Sequence, residues 1–142
     1  MAPTLLVGVF NYKKEMNEMQ KLIIVGIGGF IGCCLRYLIS SYFSKILGTQ
    51  FPYGTLIVNI IGGILIGFVM DYSIKPDVVS PSIKLFLTTG LMGGLTTFST
   101  FSYETINLFY LGNYLLGTIN ISLNLILSLV GVILGKFVSK LL

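Results

Sequence analysis

Between Gly93 and Ser102 the chain reads Gly-Gly-Leu-Thr-Thr-Phe-Ser-Thr-Phe-Ser, which sets two glycines, five hydroxyl groups and two phenylalanine rings inside an otherwise apolar stretch. The chemistry open to these groups is hydrogen-bond donation and ring-edge contact. None of them is suited to shuttle a proton or cleave a bond. A lipid-facing helix gains nothing from a run of Thr and Ser, and each glycine costs roughly 1 kcal/mol against alanine in a helix interior. Irregular backbone at membrane depth persists only where protein or a water-filled cavity covers it. The stretch therefore reads as a helix break lining a pathway. The competing reading is a close helix crossing through small residues, with the hydroxyls bonded back to their own helix.

Other polar groups stand alone in apolar surroundings. Asn59, with Thr55 one turn before it, carries amide donors that hydrocarbon cannot satisfy, so it faces protein or a pore. Asn120, Asn124 and Ser128 recur every four residues and share one helix face, which Gly131 and Gly135 continue. Arg36 lies well inside an apolar segment, where a guanidinium costs about 2.5 to 3.5 kcal/mol unless it reaches water. It either faces a vestibule, raising the local concentration of anions, or snorkels to the interface as an anchor. Phe98 and Phe101 are three apart, hence on one helical face, and could turn electropositive ring edges toward an anion.

The inventory at depth is thus one of donors: the Asn59 amide and the hydroxyls of Thr97, Thr100 and Ser128, with one cation and a single carboxylate, Glu104, expected near the interface. Donors without carboxylates favour anions over cations. The sequence has no His, and Cys33 and Cys34 are adjacent without metal or redox spacing. No acid–base or nucleophile–base set is spaced for catalysis, so an enzyme is not expected.

The elements that must carry these groups follow from composition. Of 142 residues 54% are hydrophobic and 10% charged, and the mean hydropathy of +0.92 lies outside the range of soluble domains. Four crossings are expected, at about 22–43, 53–72, 83–111 and 114–138. The third is too long: 29 helical residues would reach over about 40 Å against a hydrocarbon core of about 30 Å. A break near Gly93-Gly94 or a strong tilt removes the excess. Residues 1–20 read as a mobile tail and not a signal peptide, because Lys13 and Lys14 follow the short apolar piece instead of preceding it; residues 21–142 form one transmembrane domain. The net charge of +4 comes from scattered Lys and Arg, without the basic stripe of a nucleic-acid binder. Each crossing carries glycines four apart (Gly28/Gly32, Gly63/Gly67, Gly90/Gly94, Gly131/Gly135), as close helix packing requires. Four short helices hardly enclose a pathway alone, so a symmetric oligomer is expected.

Gly28 to Tyr37, the Asn59-Ile60-Ile61-Gly62 element and above all Gly93 to Phe101 resemble the small bacterial fluoride channels, the CrcB or Fluc family, over residues 21–142. The resemblance implies an all-α, multi-pass protein of the bacterial plasma (inner) membrane, assembled as an antiparallel, dual-topology homodimer with two pores that export toxic fluoride passively. It implies that Phe98 and Phe101 supply ring edges, that Asn59 and Ser128 donate hydrogen bonds, and that Thr55 and Arg36 belong to the vestibule region. It also implies a central structural sodium ion on the backbone carbonyls of Gly93 and Thr96 from both subunits. One feature departs from the pattern. Lys13, Lys14, Lys21, Lys75, Lys84, Lys136 and Lys140 fall on one side of the membrane and Lys45 on the other, a bias toward one orientation. A heterodimer with an oppositely oriented paralogue is the alternative assembly. The runner-up functions are a small proton-coupled multidrug exporter, which would want a deep carboxylate, and a purely structural membrane protein joined through its glycine faces.

Overall fold

A computed structural model describes residues 16–75 and 78–142, and every regular element among them is helical. Helix α1 (Glu18–Leu47) starts at a reciprocal cap: the Asn17 side chain accepts from the Gln20 amide at 2.8 Å while the Gln20 side chain accepts from the Asn17 amide at 3.2 Å. Two otherwise unsatisfied N–H groups are thereby bonded. The helix therefore takes up Glu18 to Gln20, which the sequence assigns to the tail; the rest of that tail up to residue 15 lies outside the described residues.

Helix α2 (Tyr53–Tyr72) follows. Helix α3 (Pro81–Leu85), capped by the Ser80 hydroxyl with Pro81 in its first turn, runs directly into a π-helical segment (Phe86–Met92) and one further turn, α4 (Gly93–Leu95). After two extended residues come α5 (Phe98–Tyr110) and α6 (Tyr114–Leu141), joined through Gly112 at φ 76°. Three helices, α1, α2 and α6, are long and apolar enough to cross a membrane. The stretch from Pro81 to Tyr110 is divided into pieces, and none of them alone meets that length.

The interruption lies two residues beyond the glycines. Gly93 and Gly94 sit in a helical turn, whereas Thr96 (φ −81°, ψ 158°) and Thr97 (φ −150°, ψ 117°) are extended. The glycines near this point answer mainly to contact with α1. A Cβ on Gly28 would lie 2.7 Å from the Phe86 carbonyl oxygen and 2.9 Å from the Gly90 Cα, and one on Gly94 would lie 2.5 Å from the Gly29 carbonyl oxygen. The backbones of α1 and the π segment touch, which no larger residue permits.

Contact order along the helices fixes their directions. Gly63 faces Ser128 and Gly67 faces Val132, so α2 and α6 run parallel; Gly54 faces Ser40, so α2 runs against α1; and Gly28 to Gly32 face Phe86 to Leu95, so α1 and the broken segment run together. Lys21, Lys75, Lys84, Lys136 and Lys140 accordingly gather at one end of the bundle and Lys45 at the other. Val58, Met92 and Leu95 form the buried core where α2 meets the broken segment. Large apolar residues of α1 and α6 such as Phe30, Leu38, Leu129 and Phe137 point outward, as lipid-facing walls do.

Candidate functional site

Asn59 explains the break. The Thr97 amide donates to Asn59 Oδ1 at 2.9 Å, and Asn59 Nδ2 donates back to the Thr97 carbonyl at 3.2 Å, so one side-chain amide pairs with one peptide in the manner of a β ladder. The N–H that would continue the helix by bonding the Gly93 carbonyl is thereby withdrawn. Helix α5 restarts at once, because the Thr97 hydroxyl accepts from the Thr100 amide at 3.1 Å and donates to Thr100 Oγ1 at 2.9 Å. Thr96 closes the preceding turn, its hydroxyl donating to the Met92 carbonyl at 2.9 Å.

The second Asn59 amide proton goes to Asn124 Oδ1 at 2.9 Å. Asn124 Nδ2 donates to Asn120 Oδ1 at 2.9 Å and to the Asn120 carbonyl at 3.1 Å, and Asn120 Nδ2 donates to Thr105 Oγ1 at 2.8 Å. A polar seam thus joins α2, α6 and α5 inside an apolar bundle. Asn120 is fully buried and Asn124 nearly so, as expected of polar groups that find partners.

A cavity of about 670 Å³ opens beside the seam, lined among others by Asn59, Gly93, Thr97, Phe98, Phe101 and Ser128. The Phe98 and Phe101 rings lie 5.5 Å apart and tilted by 54°, but their settings differ: Phe101 is 8% exposed and Phe98 77%. Sharing a helical face has not given them a shared environment, since Phe98 stands at the newly started end of α5 where nothing among the described residues covers it. The Ser128 hydroxyl lines the cavity without a hydrogen-bond partner among the described residues.

Three expected site residues are engaged away from the cavity wall. Thr100 lies behind Thr97 as described. Thr55 is buried and donates to Glu104 Oε1 at 3.0 Å. Arg36 meets no acid among the described residues: Nη1 donates to the carbonyl of Thr96, the C-cap of α4, at 3.2 Å and Nη2 approaches Cys33 Sγ at 3.5 Å. A guanidinium thus faces a carbonyl released by the break.

Glu104 has a partner that residue spacing alone does not name. Its carboxylate is part-buried against Thr55, and Oε2 is buried with no protein partner among the described residues. The available signal was its position three residues after Phe101 and four after Thr100, on the same helical face.

Apolar spans surrounding a hydrogen-bonded polar seam, with an open cavity beside it, define a helical integral membrane protein. The chain belongs to the CrcB family: the profile described as CrcB-like protein, Camphor Resistance (CrcB), matches residues 23–136. A protein of Clostridium novyi (strain NT) named fluoride-specific ion channel FluC is 62% identical over 125 residues, covering 88% of this chain and 98% of the relative. Proteins of the same name from Clostridium perfringens (strain 13) and Geotalea daltonii are 57% identical over 127 residues and 47% over 117, covering 87% and 82% of this chain and 99% and 94% of the relatives.

Proposed function

We infer that this protein is a fluoride-specific ion channel of the bacterial plasma membrane, a multi-pass protein that lets cytoplasmic fluoride leave passively and performs no enzymatic reaction. The observation that carries the inference is coverage: the family match at 23–136 contains the whole break, seam and cavity, and relatives bearing the channel name are alike over almost their full length. The proton-coupled exporter has no such support, although Glu104 supplies the kind of part-buried carboxylate it would want.

The mechanism is dehydration with replacement. Fluoride is small and firmly hydrated, so a narrow path must substitute many weak donors for its water without holding it too tightly. The Ser128 hydroxyl, without an acceptor among the described residues, can donate, and the edges of Phe98 and Phe101 add electropositive contact. The Thr97 hydroxyl at the head of α5 holds its proton on Thr100 Oγ1, so it donates to the ion by exchanging that bond, with Thr100 behind it. Asn59 has both amide protons engaged with protein acceptors, so it donates to a passing ion by exchanging one of those bonds. Thr55 and Arg36 flank the path, the latter as fixed positive charge near the break.

The segment from Pro81 to Tyr110 is the fourth crossing in this reading, and residues 21–142 act as one domain. The working unit is an antiparallel dimer, for which the open cavity and the uncovered Phe98 are the support: a partner would close the wall that this chain leaves open. A Cβ on Gly93 would meet nothing within 4 Å, as expected of a position kept small for something outside the chain. The grouping of lysines at one end leaves a homodimer or a heterodimer with a reversed paralogue, and oriented accessibility labelling of cysteines placed at both ends separates them. The carbonyls of Gly93 and Thr96 would hold the structural sodium ion. The Gly93 carbonyl has lost its helical donor to Asn59, which suits a hard cation. The Thr96 carbonyl shares its lone pairs with Arg36.

The test is fluoride efflux from proteoliposomes loaded with potassium fluoride, with a potassium ionophore carrying the counter-ion and chloride as control. Fluoride release far above protein-free vesicles supports the channel. Proton-dependent release of organic cations would favour the exporter, and tight vesicles would leave only a structural protein.

A further inference from the structure

We propose that Asn124, backed by Asn120, is a positioning residue for permeation: it anchors the Asn59 amide against the Thr97 peptide, whose own N–H and carbonyl set which way round that amide sits, and so holds that peptide open at the helix break. The proposal rests on the fluoride-channel reading for its functional consequence, but its geometry is independent of it.

A side-chain amide can turn over, exchanging its oxygen and nitrogen, and only its hydrogen-bond partners decide between the two settings. Here the chain of amides ends on groups whose polarity cannot change. At one end the Thr97 N–H can only donate, and it meets Asn59 Oδ1 at 2.9 Å. At the other end the Asn120 backbone carbonyl can only accept, and it meets Asn124 Nδ2 at 3.1 Å. Asn124 must therefore turn its oxygen to Asn59, and Asn59 must turn its nitrogen to Asn124, as the 2.9 Å contact has it. Turning over either residue alone would set nitrogen against nitrogen or oxygen against oxygen. A reversed Asn59 would also oppose both groups of the Thr97 peptide, N–H against NH₂ and carbonyl against carbonyl. With the clamp undone, the Thr97 amide would be free to return to the Gly93 carbonyl, and the head of α5 with Phe98 would move.

Asn120 adds a second bond to Asn124 through its own Oδ1 at 2.9 Å and is itself anchored on Thr105 at 2.8 Å. Its backbone carbonyl survives any side-chain substitution, so the two asparagines are not equivalent. Loss of the Asn124 side chain removes the link to Asn59, whereas loss of the Asn120 side chain only weakens it.

Two measurements test this. In proteoliposomes Asn124→Ala is expected to slow fluoride efflux about tenfold, the scale of one buried amide bond left unmade, while eluting at the wild-type size. Asn120→Ala is expected to slow it less. Combined with Asn59→Ser, Asn124→Ala should add little, because the clamp it acts through is already gone. Where the alanine variant assembles poorly, Asn124→Ser makes the same comparison, since its hydroxyl can still bond the Asn120 carbonyl but is too short to reach Asn59. An Asn120→Ala effect as large as that of Asn124→Ala, or full additivity with Asn59→Ser, overturns the proposal. Independently of transport, the side-chain amide resonances of 15N-asparagine-labelled protein should show the Asn59 pair shifting on Asn124→Ala. An unmoved Asn59 pair overturns the proposal even if the channel conducts. A wild-type protein that conducts no fluoride while that pair does shift would refute the channel and leave the clamp standing.

Discussion

Helices α2 and α6 lie side by side, and the two halves of their contact are built on opposite principles. Toward their C-terminal ends Gly63, Gly67, Gly131 and Gly135 bring the backbones together, and no side-chain hydrogen bond among the described residues joins the two helices there: a Cβ on Gly63 would lie 2.6 Å from the Ser128 carbonyl oxygen, and one on Gly135 would lie 2.7 Å from the Phe68 amide nitrogen and overlap the Ile64 carbonyl. Toward their N-terminal ends the same helices are joined through the amides of Asn59, Asn124 and Asn120. In lipid no hydrophobic gain distinguishes a helix neighbour from an acyl chain, so the dry half is held by fit alone. The polar half is held by bonds that an ion able to accept hydrogen bonds can compete for. The dry half thus supplies a fixed geometry, and the polar half supplies contacts that can be exchanged against that geometry.

The sharpest way to break the comparison is to add one carbon to the dry half. Gly135→Ala and Gly67→Ala place a Cβ on a partner backbone carbonyl, and neither helix can yield locally without losing its other contacts. We expect a destabilisation of about 3 kcal/mol or more and loss of the folded species in size-exclusion chromatography of the detergent-solubilised protein. A well-folded Gly135→Ala channel would show that fit is not what holds this half.

In the polar half the expected loss is of transport before assembly. Asn59→Asp keeps an acceptor for the Thr97 amide but removes both donors, to the Thr97 carbonyl and to Asn124, and sets a negative charge where an anion must pass. Fluoride efflux should fall by about tenfold or more, each 1.4 kcal/mol of added barrier being about tenfold in rate, with the oligomer still folded. Phe98→Ala should behave likewise, because a ring that is 77% exposed in the chain contributes little to its fold. Wild-type flux in both variants would remove these residues from the path.

Ser128 stands where the two halves meet, its carbonyl facing Gly63 and its hydroxyl facing the cavity. Since that hydroxyl bonds nothing among the described residues, Ser128→Ala should change stability by less than about 0.5 kcal/mol, read as an almost unmoved thermal unfolding midpoint. Efflux should nevertheless fall several-fold, on the order of one weak donor. A drop in stability without a change in flux would assign Ser128 to the dry half instead.

What could be read from the sequence divides along the same line. The glycine pairs, the interrupted third segment and the polar character of Asn59, Asn120, Asn124 and Ser128 follow from residue type and spacing, because they depend on helix periodicity and on the cost of burying polar groups. Partner choice does not follow. Nothing in the spacing says that Asn59 pairs with a peptide 38 residues away, that Arg36 bonds the Thr96 carbonyl, or that Glu104 meets Thr55. These pairings depend on how α1 and α2 stand against the broken segment, a tertiary fact. The π-helical turn at Phe86–Met92 likewise has no signature in residue type; it appears where α1 presses backbone to backbone against the chain. The break, expected near Gly93-Gly94, lies at Thr96-Thr97 within the same stretch, since the competing amide of Asn59, and not glycine flexibility, withdraws the helical bond.

The finest test lies within the dry half. Gly131 belongs to the same stripe as Gly135, but a Cβ there would sit 3.1 Å from the Ile60 carbonyl oxygen and 3.2 Å from the Ile64 Cγ1, so the neighbours need to give by only a few tenths of an ångström. Against that strain stands the gain of replacing glycine by alanine in a helix interior, about 1 kcal/mol. The two terms are of similar size and opposite sign. Gly131→Ala should therefore shift stability by less than about 1 kcal/mol in either direction, read as a small change in thermal midpoint with efflux retained. If it proves as damaging as Gly135→Ala, the stripe responds as a unit to any added volume, and the local distances do not set the tolerance of each position. If it is near neutral while Gly135→Ala unfolds, the contact is uneven along its length, each position tolerating what its own neighbours allow: tightest at Gly135, toward the basic end, with room to give at Gly131 although Gly63 is again close against Ser128.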